Sequence, residues 1–246
     1  MTVLDPVAGA LIALDFDGTL APIVGDPQAA RPVPGVIRTL AALAGAGARI
    51  AVVTGRDALT VLELGQLDRV PGLVISGLHG AESWQDGELT TIAEPAGLAW
   101  LRGSLPPLLP AGVWIEDKRL SLVLHTRRAD NPQQALAELD RLRPLVSEQG
   151  LEAHAGKQVL ELRIPGLSKA TALDELLTPD TTAALFAGDD LGDLPAVAAV
   201  GAWSRRTGRP ACTIAVGEVA ELRGVTDRQL DSPAELAELL RTLIPT

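Results

Sequence analysis

Two aspartates stand one residue apart in LIALDFDGTL, residues 11–20, where an apolar run ends. Residues i and i+2 of a strand point to the same face, so we expect the carboxylates of Asp15 and Asp17 to converge there. Two close carboxylates repel each other unless a cation or a shared proton lies between them. A hard divalent cation with oxygen ligands, Mg²⁺ in particular, resolves that repulsion, so the segment fits a metal site. Taken alone, the pair fits a capping or turn pair equally well.

More acids follow a second apolar run, in AALFAGDDLGD (183–193), where Asp189 is followed by Asp190 and Asp193. An aspartate beside Mg²⁺ can attack phosphorus as a nucleophile and form an aspartyl-phosphate. A second carboxyl group two residues away can protonate the leaving oxygen and then accept a proton from water. The acids therefore predict phosphoryl-transfer chemistry.

Two further residues have the chemistry to bind the transferred phosphoryl group. Thr54 ends the apolar run of ARIAVVTGR (48–56), and Lys169 opens the predicted helix SKATALDELL. Donors on the phosphoryl oxygens stabilise the transition state, and the N-terminal end of a helix favours a phosphate. Thr54 also fits a simple helix cap, and Lys169 a solvated surface lysine, when each is considered alone.

The elements that must position these residues are short apolar runs that end in glycine and polar residues. Runs without alternation are typical of strands buried on both faces of a parallel sheet, and helical patterns such as residues 34–47 lie between them. We therefore predict an α/β, doubly wound, Rossmann-like core, in which ligands bind beyond the carboxyl ends of the strands. The predicted strands lie in residues 10–18, 48–56, 72–77, 183–193 and 212–218.

The middle of the chain has a different pattern. Residues 113–127 alternate as in an antiparallel hairpin, residues 131–150 form one amphipathic helix, and residues 157–166 alternate again. We therefore predict an α+β insert at residues 82–164 within a core made of residues 1–81 and 165–246.

Composition excludes several function classes. The net charge of −10 and the aromatic content of 2 % argue against a nucleic-acid partner. No apolar run is long enough to span a bilayer and no basic leader precedes the acidic motif, so we expect no membrane partner and a cytoplasmic location. Cys212 is the single cysteine in the sequence, which agrees with a reducing compartment. We expect a monomer that acts on a small molecule.

DFDGTL, Thr54, Lys169 and GDDLGD, in this order, resemble the four motifs of the haloacid dehalogenase-like (HAD) phosphatase superfamily. The resemblance implies that Asp15 is the nucleophile and Asp17 the general acid/base. It implies that Mg²⁺ is the cofactor, held by Asp15, the backbone carbonyl of Asp17, and Asp189. Asp190 and Asp193 would support these ligands.

The insert lies between Thr54 and Lys169, which corresponds to the C2-type cap domain of that superfamily. GLHGAE (77–82), IEDKRLSLVLHTR (115–127) and GKQVLELRIPGLSKATAL (156–173) resemble the trehalose-6-phosphate phosphatases. That resemblance implies hydrolysis of trehalose 6-phosphate to trehalose and phosphate, the last step of trehalose biosynthesis, through an aspartyl-phosphate on Asp15.

Carboxylate and ammonium groups that could bind sugar hydroxyls are the candidate substrate contacts. In the insert they are Glu116, Lys118, Lys157 and Glu161. Outside it they are joined by Gly55 and Arg56, which follow Thr54, and by His79 at the junction of core and insert. His125 and His154 lack metal-ligand spacing, so we expect packing or surface roles for both, and packing roles for the tryptophans.

Three alternatives remain open. The first is a phosphatase for another sugar phosphate, such as a sucrose, glucosylglycerol or mannosylglycerate phosphate. The second is a non-catalytic sugar-phosphate sensor that keeps the fold, and the third is a phosphomutase.

Overall fold

A computed structural model describes residue 4 and residues 6–245 of the chain. These residues form two compact units. The first unit contains the described residues up to Thr91 and from Ser168 onward, and the second unit is Ile92–Leu167. No helix among the described residues is both long enough and apolar enough to span a bilayer.

The first unit is built on an eight-stranded sheet in the order β12-β11-β10-β1-β2-β3-β4-β5. Neighbouring strands from β12 to β3 are parallel, whereas β4 and β5 add an antiparallel edge. The strands are β1 (Leu11–Leu14), β2 (Arg49–Val53), β3 (Val74–Gly77), β4 (Glu82–Gln85), β5 (Glu88–Thr91), β10 (Ala184–Gly188), β11 (Ala211–Val216) and β12 (Arg228–Leu230).

Helices cover both faces of this sheet because successive strand residues point to opposite sides. Ile12 and Leu14 pack in the cluster that contains α1 (Val36–Gly45), α2 (Ala58–Gly65) and α8 (Pro233–Thr242). Leu11 and Ala13 pack in the cluster that contains α6 (Lys169–Leu176) and α7 (Leu194–Thr207). This doubly wound arrangement confirms the predicted fold class, and each of the five predicted apolar runs overlaps a strand of the sheet.

The second unit is an antiparallel sheet with helices on one face. Its strand order is β6-β7-β9-β8, and leucines from alternate positions of β7 and β9 pack against the helices. The elements are α3 (Ala96–Ser104), β6 (Trp114–Asp117), β7 (Ser121–His125), α4 (Pro132–Leu139), α5 (Arg143–Glu148), β8 (Glu152–Gly156) and β9 (Val159–Arg163).

The helix predicted over residues 131–150 is divided in the structure. It begins as expected, with the side chain of Asn131 accepting a hydrogen bond from the N–H of Gln134. A single 3-10 turn, Asp140–Leu142, then separates α4 from α5. Pro144 lacks an N–H and its ring would clash with the carbonyl of residue 140, so one continuous α-helix cannot form.

Residues 82–91 belong to the large sheet, although their sequence pattern was interpreted as part of the insert. Strand β4 pairs with β3, and β5 pairs with β4 across a two-residue turn at Asp86 and Gly87, which both have positive φ. This conformation favours an Asp-Gly dipeptide in tight hairpins. The division into a core and a C2-type cap at residues 82 and 164 stays a prediction.

Candidate active site

The candidate catalytic side chains of the first unit lie at the carboxyl ends of adjacent parallel strands. Asp15 follows β1, Thr54 follows β2 and Asp189 follows β10, and β1 lies between the other two strands. The backbone N–H of Asp15 donates to the carbonyl of Ala187 at 2.9 Å, which joins the ends of β1 and β10. Parallel strands present their carboxyl ends at one edge, so this edge gathers residues far apart in sequence.

Lys169 is buried among acids at the first position of α6. Its Nζ lies 2.8 Å from Oδ1 of Asp15 and 2.7 Å from Oδ1 of Asp193. The helix begins there because Ser168 and Thr171 form a capping box. Burial alone would lower the pKa of Lys169, but the charges of Asp15 and Asp193 more than offset that effect and raise it. Lys169 is therefore a fixed positive charge beside Asp15.

Asp193 is fully buried and both of its carboxylate oxygens have partners. Oδ1 accepts from Lys169, and Oδ2 accepts from the backbone N–H groups of Asp189 at 2.9 Å and Asp190 at 3.1 Å. Burial raises the pKa of both Asp190 and Asp193. Asp193 therefore holds the lysine and the loop that carries Asp189 in one network.

The same acids fit a divalent cation. Carboxylate oxygens of Asp15, Asp189 and Asp193 lie within 4.8 Å of one another. Burial raises the pKa of Asp15 to about 7, against the opposing effect of Lys169. Burial and the charges of Asp190 and Asp193 raise the pKa of Asp189 to about 7. Buried, crowded carboxylates are the hard oxygen ligands that Mg²⁺ and similar ions take, so the donor chemistry suits a divalent metal.

Glycine is required at position 18, where the turn after Asp17 lies against Asp189. Gly18 has φ +71°, and a Cβ on it would lie 1.9 Å from Oδ2 of Asp189. The absence of a side chain therefore lets the DFDG turn approach the carboxylate of Asp189 closely.

The side chain of Asp17 has a different partner from that of Asp15. Its two carboxylate oxygens accept from Nε and Nη2 of Arg56, each at 2.6 Å. Nη1 of Arg56 donates to the carbonyl of Pro27 at 2.8 Å, and the guanidinium lies 5.8 Å from the centre of the Phe16 ring. Among the described residues, Asp17 is not a member of the close acid group. Since β1 ends at Leu14, the i, i+2 rule no longer governs where Asp17 points.

Thr54, Gly55 and His79 lie in two loops that contact each other. Thr54 is 1 % exposed, and its hydroxyl accepts from the N–H of Arg56 at 3.2 Å. The N–H of His79 donates to the carbonyl of Thr54, and a Cβ on Gly55 would lie 3.0 Å from the His79 ring. Leu78 and His79 both have positive φ, at 47° and 58°. Non-glycine residues in this left-handed backbone conformation are strained, and such residues cluster at functional sites.

The candidate sugar contacts of the second unit lie on its sheet and turns. Glu116 on β6 and Glu161 on β9 both pair with Val123 on β7, so they share one face and one cross-strand row. Lys118 lies in the turn after β6, and Lys157 in the turn between β8 and β9. The structure therefore brings the two glutamates onto one surface.

Two side-chain contacts of the candidate site residues were not predicted from the sequence. One is the Arg56–Asp17 ion pair, since Arg56 was assigned to the substrate. The other is the contact of His125 with Glu116, at 2.8 Å between Nε2 and Oε2. The sequence does contain a signal for the contact of His125 with Glu116. The hairpin turn at residues 117–119 sets the pairing register of the two strands, and this register puts Glu116 and His125 on one face.

Sequence comparisons give one consistent result. A family model described as trehalose-phosphatase matches residues 13–201. A trehalose-phosphate phosphatase from Mycobacterium marinum is 33 % identical over 212 residues, which cover 77 % of this chain and 51 % of that protein. The chain thus spans about half the length of this curated relative.

Structural comparisons agree. An Aspergillus fumigatus trehalose-6-phosphate phosphatase structure is similar at a TM-score of 0.72 with 28 % identity, over 98 % of this chain and 95 % of that one. A haloacid dehalogenase-like hydrolase from Bacteroides thetaiotaomicron has a TM-score of 0.70 with 15 % identity, over 95 % of this chain and 99 % of that one. The second likeness, at 15 % identity, concerns the fold alone.

Proposed function

We propose that this chain, which belongs to the trehalose-phosphatase family, hydrolyses trehalose 6-phosphate to trehalose and inorganic phosphate. One structural observation carries the proposal. A buried lysine contacts both Asp15 and Asp193, within an acidic cluster at the ends of adjacent parallel strands. This arrangement supplies a nucleophile, a fixed positive charge and metal-ligand oxygens in one place.

Asp15 is the proposed nucleophile. Its carboxylate oxygen attacks phosphorus, the bond from phosphorus to the sugar oxygen breaks, and an aspartyl-phosphate forms on Asp15. Lys169 is 2.8 Å from Asp15, so its charge keeps that carboxylate oriented and balances charge on the phosphoryl oxygens. The hydroxyl of Thr54, at the end of the neighbouring strand, donates to one of those oxygens.

Asp17 is the proposed proton carrier. In the first step its carboxyl group gives a proton to the departing sugar oxygen. In the second step its carboxylate takes a proton from water, which attacks phosphorus and breaks the bond to Asp15. Arg56 contacts both oxygens of Asp17 and fixes the orientation of the carboxylate.

Mg²⁺ is the proposed metal. The carboxylates of Asp15 and Asp189 and the backbone carbonyl of Asp17 would hold it, and Asp193 and Asp190 would support the Asp189 loop. When bound, it neutralises negative charge on the phosphoryl group and on the acids that hold it.

Candidate contacts with sugar hydroxyls are proposed for each unit by itself. In the second unit these are Glu116, Lys118, Lys157 and Glu161. In the first unit His79 and Gly55 are the corresponding groups. A site that hydrogen-bonds sugar hydroxyls discriminates strongly against ligands that leave its polar groups unpaired.

The decisive experiment measures phosphate release from trehalose 6-phosphate and from a panel of other sugar phosphates, with Mg²⁺ and with EDTA. We expect the highest kcat/KM on trehalose 6-phosphate and no turnover in EDTA. A value more than about tenfold higher on a sucrose, glucosylglycerol or mannosylglycerate phosphate would move the assignment to that sugar. Binding without phosphate release would indicate a sensor, and an isomerised sugar phosphate product would indicate a phosphomutase.

A further inference from the structure

One face of the sheet in the second unit carries an ordered set of polar side chains. Leu122 and Leu124 of β7 and their counterparts on β9 pack toward the helices, so the alternate residues occupy the opposite face. On that face Glu116, Val123 and Glu161 are direct cross-strand neighbours. Since neighbouring strands are about 4.8 Å apart, the two glutamate backbones are separated by roughly 10 Å.

Each glutamate in this row is held by one neighbouring side chain. Oε2 of Glu116 lies 2.8 Å from Nε2 of His125, and Oε1 of Glu161 accepts from the hydroxyl of Ser121 at 3.1 Å. Neither second oxygen has a partner among the described residues. The side chain of Glu116 is 41 % exposed. The row therefore presents two oriented carboxylates, each with one oxygen able to accept a hydrogen bond.

His125 is itself fixed by Trp114. The two rings stack with centroids 4.0 Å apart and planes 4° from parallel. The guanidinium of Arg128 lies 5.2 Å from the Trp114 ring centre. A stack of this kind restricts the rotation of the imidazole, so the nitrogen that contacts Glu116 has a defined position. Trp114 thus supports His125, and His125 supports Glu116.

We infer that His125 is a positioning residue for sugar recognition, which sets the carboxylate of Glu116 to accept hydrogen bonds from the hydroxyls of the substrate sugar. This inference rests on the proposed function. Its ligand class is a polyhydroxylated sugar, whose adjacent hydroxyls can pair with a carboxylate. His125 does not touch the reacting phosphate in this assignment, so it acts on binding of the sugar and not on phosphoryl transfer.

The chain offers a matched control for this inference. His154 on β8 lies on the same face, and its Nε2 is 2.9 Å from Oε2 of Glu152. Its side chain is 39 % exposed, and no Trp stack holding it is found among the described residues. His125→Phe keeps a ring for the stack and removes the hydrogen bond. His154→Phe makes the same chemical change at the other end of the row, where His154 is opposite Glu161 but contacts Glu152, which is not in the row.

The test compares trehalose 6-phosphate with p-nitrophenyl phosphate, which has no sugar. For His125→Phe we expect KM for trehalose 6-phosphate to rise about tenfold, as for loss of a hydrogen bond to a charged group. We expect kcat, and the kcat/KM for p-nitrophenyl phosphate, to change less than about twofold. His125→Gln, which retains a nitrogen donor, should recover part of the loss, and His154→Phe should leave both substrates unaffected.

Three outcomes would overturn the inference. They are an equal loss on both substrates, an effect confined to kcat, and a His125→Phe variant that matches His154→Phe. Thermal unfolding of His125→Phe and His125→Gln shows whether the fold is retained, and an intact His125→Gln keeps the test valid. If the wild-type protein turns over p-nitrophenyl phosphate but not trehalose 6-phosphate, the proposed function fails first, which the wild-type assay alone reveals.

Discussion

The acidic centre of the first unit and the polar sheet face of the second unit use the same chemical groups in opposite surroundings. In the first unit the side chains of Lys169 and Asp15 are 5 % and 6 % exposed, and the lysine contacts two acids. In the second unit the side chain of Glu116 is 41 % exposed and has a single histidine partner. Each pair joins a carboxylate to a nitrogen group, but only the pair of Asp15 and Lys169 is buried away from water.

The difference in burial determines what each pair contributes. A buried charge that loses its partner costs several kcal/mol, so each member of the acidic centre depends on the others. An exposed pair contributes about 0–1 kcal/mol because water competes for both groups. We therefore expect changes in the first unit to affect chemistry and stability together, and changes on the polar face to affect recognition with little effect on stability.

The largest expected effect is on the nucleophile. Asp15→Asn removes the attacking carboxylate, and we expect phosphate release to fall by about 10⁴-fold or more, since loss of a nucleophile removes the whole covalent pathway. Steady-state phosphate release with Mg²⁺ measures the loss, and circular dichroism checks that the fold is kept. Asp174→Asn, an exposed position on α6, is the control. Near wild-type turnover by Asp15→Asn would remove Asp15 from the mechanism.

The next effect separates the proton carrier from the nucleophile. Asp17→Asn should lower kcat/KM on trehalose 6-phosphate by about 10²–10⁴-fold, the usual contribution of general acid–base catalysis. The loss should be smaller on p-nitrophenyl phosphate, whose leaving group departs without a proton. Arg56→Gln should show the same selectivity, because Arg56 contacts both oxygens of Asp17.

A double variant tests whether Arg56 acts through Asp17. If it does, Arg56→Gln combined with Asp17→Asn should be no worse than Asp17→Asn alone, since interacting residues are not additive. Arg49→Gln is the control, because Arg49 opens β2 at the opposite end of that strand. Among the described residues, its side chain donates hydrogen bonds only to threonine hydroxyls. Additive losses would instead assign Arg56 to the substrate, as its position after Thr54 first indicated.

Substitution of Asp193 tests the stability of the acidic centre. Asp193→Ala removes one partner of Lys169 and the acceptor for the N–H groups of Asp189 and Asp190. Loss of one member of a buried ion pair costs about 3–5 kcal/mol, so urea unfolding should show a decrease of that size in the free energy of unfolding. Asp193→Asn, which keeps an acceptor for the two N–H groups, should lose less. Two variants with unchanged stability would contradict the network.

The acidic centre was largely predictable from the sequence for a physical reason. Buried strands need continuous apolar runs, and polar groups at the ends of such runs in LIALDFDGTL and AALFAGDDLGD must meet at one sheet edge. The predicted strands and the meeting of Asp15 with Asp189 follow from that constraint, whereas Lys169 reaches Asp15 from the first position of α6. The partner of Asp17 does not follow from that constraint either, because its contact with Arg56, 39 residues away, depends on side-chain orientation in two loops.

Exposed elements were less predictable, because they need no continuous apolar run. All four residues of β5 are exposed, so its sequence carries no buried alternation, and only the Asp86-Gly87 turn indicates the hairpin. The break between α4 and α5 depends on Pro144 inside an otherwise regular amphipathic pattern. The pairing of His125 with Glu116 was predictable in part. The alternation of apolar and polar residues places both side chains on one face of the sheet, but it does not predict that they contact each other.

The smallest expected effect on stability belongs to the polar face, and it tests the comparison directly. Glu116→Gln keeps the size of the side chain and removes its charge. Because Glu116 is 41 % exposed and its partner His125 is 22 % exposed, the free energy of unfolding should change by less than about 1 kcal/mol. KM for trehalose 6-phosphate should nevertheless rise, while kcat/KM for p-nitrophenyl phosphate stays the same. A loss of stability as large as that of Asp193→Ala would mean that this pair holds the second unit together. The face would then be a structural element, and the assignment of Glu116 to sugar recognition would fail.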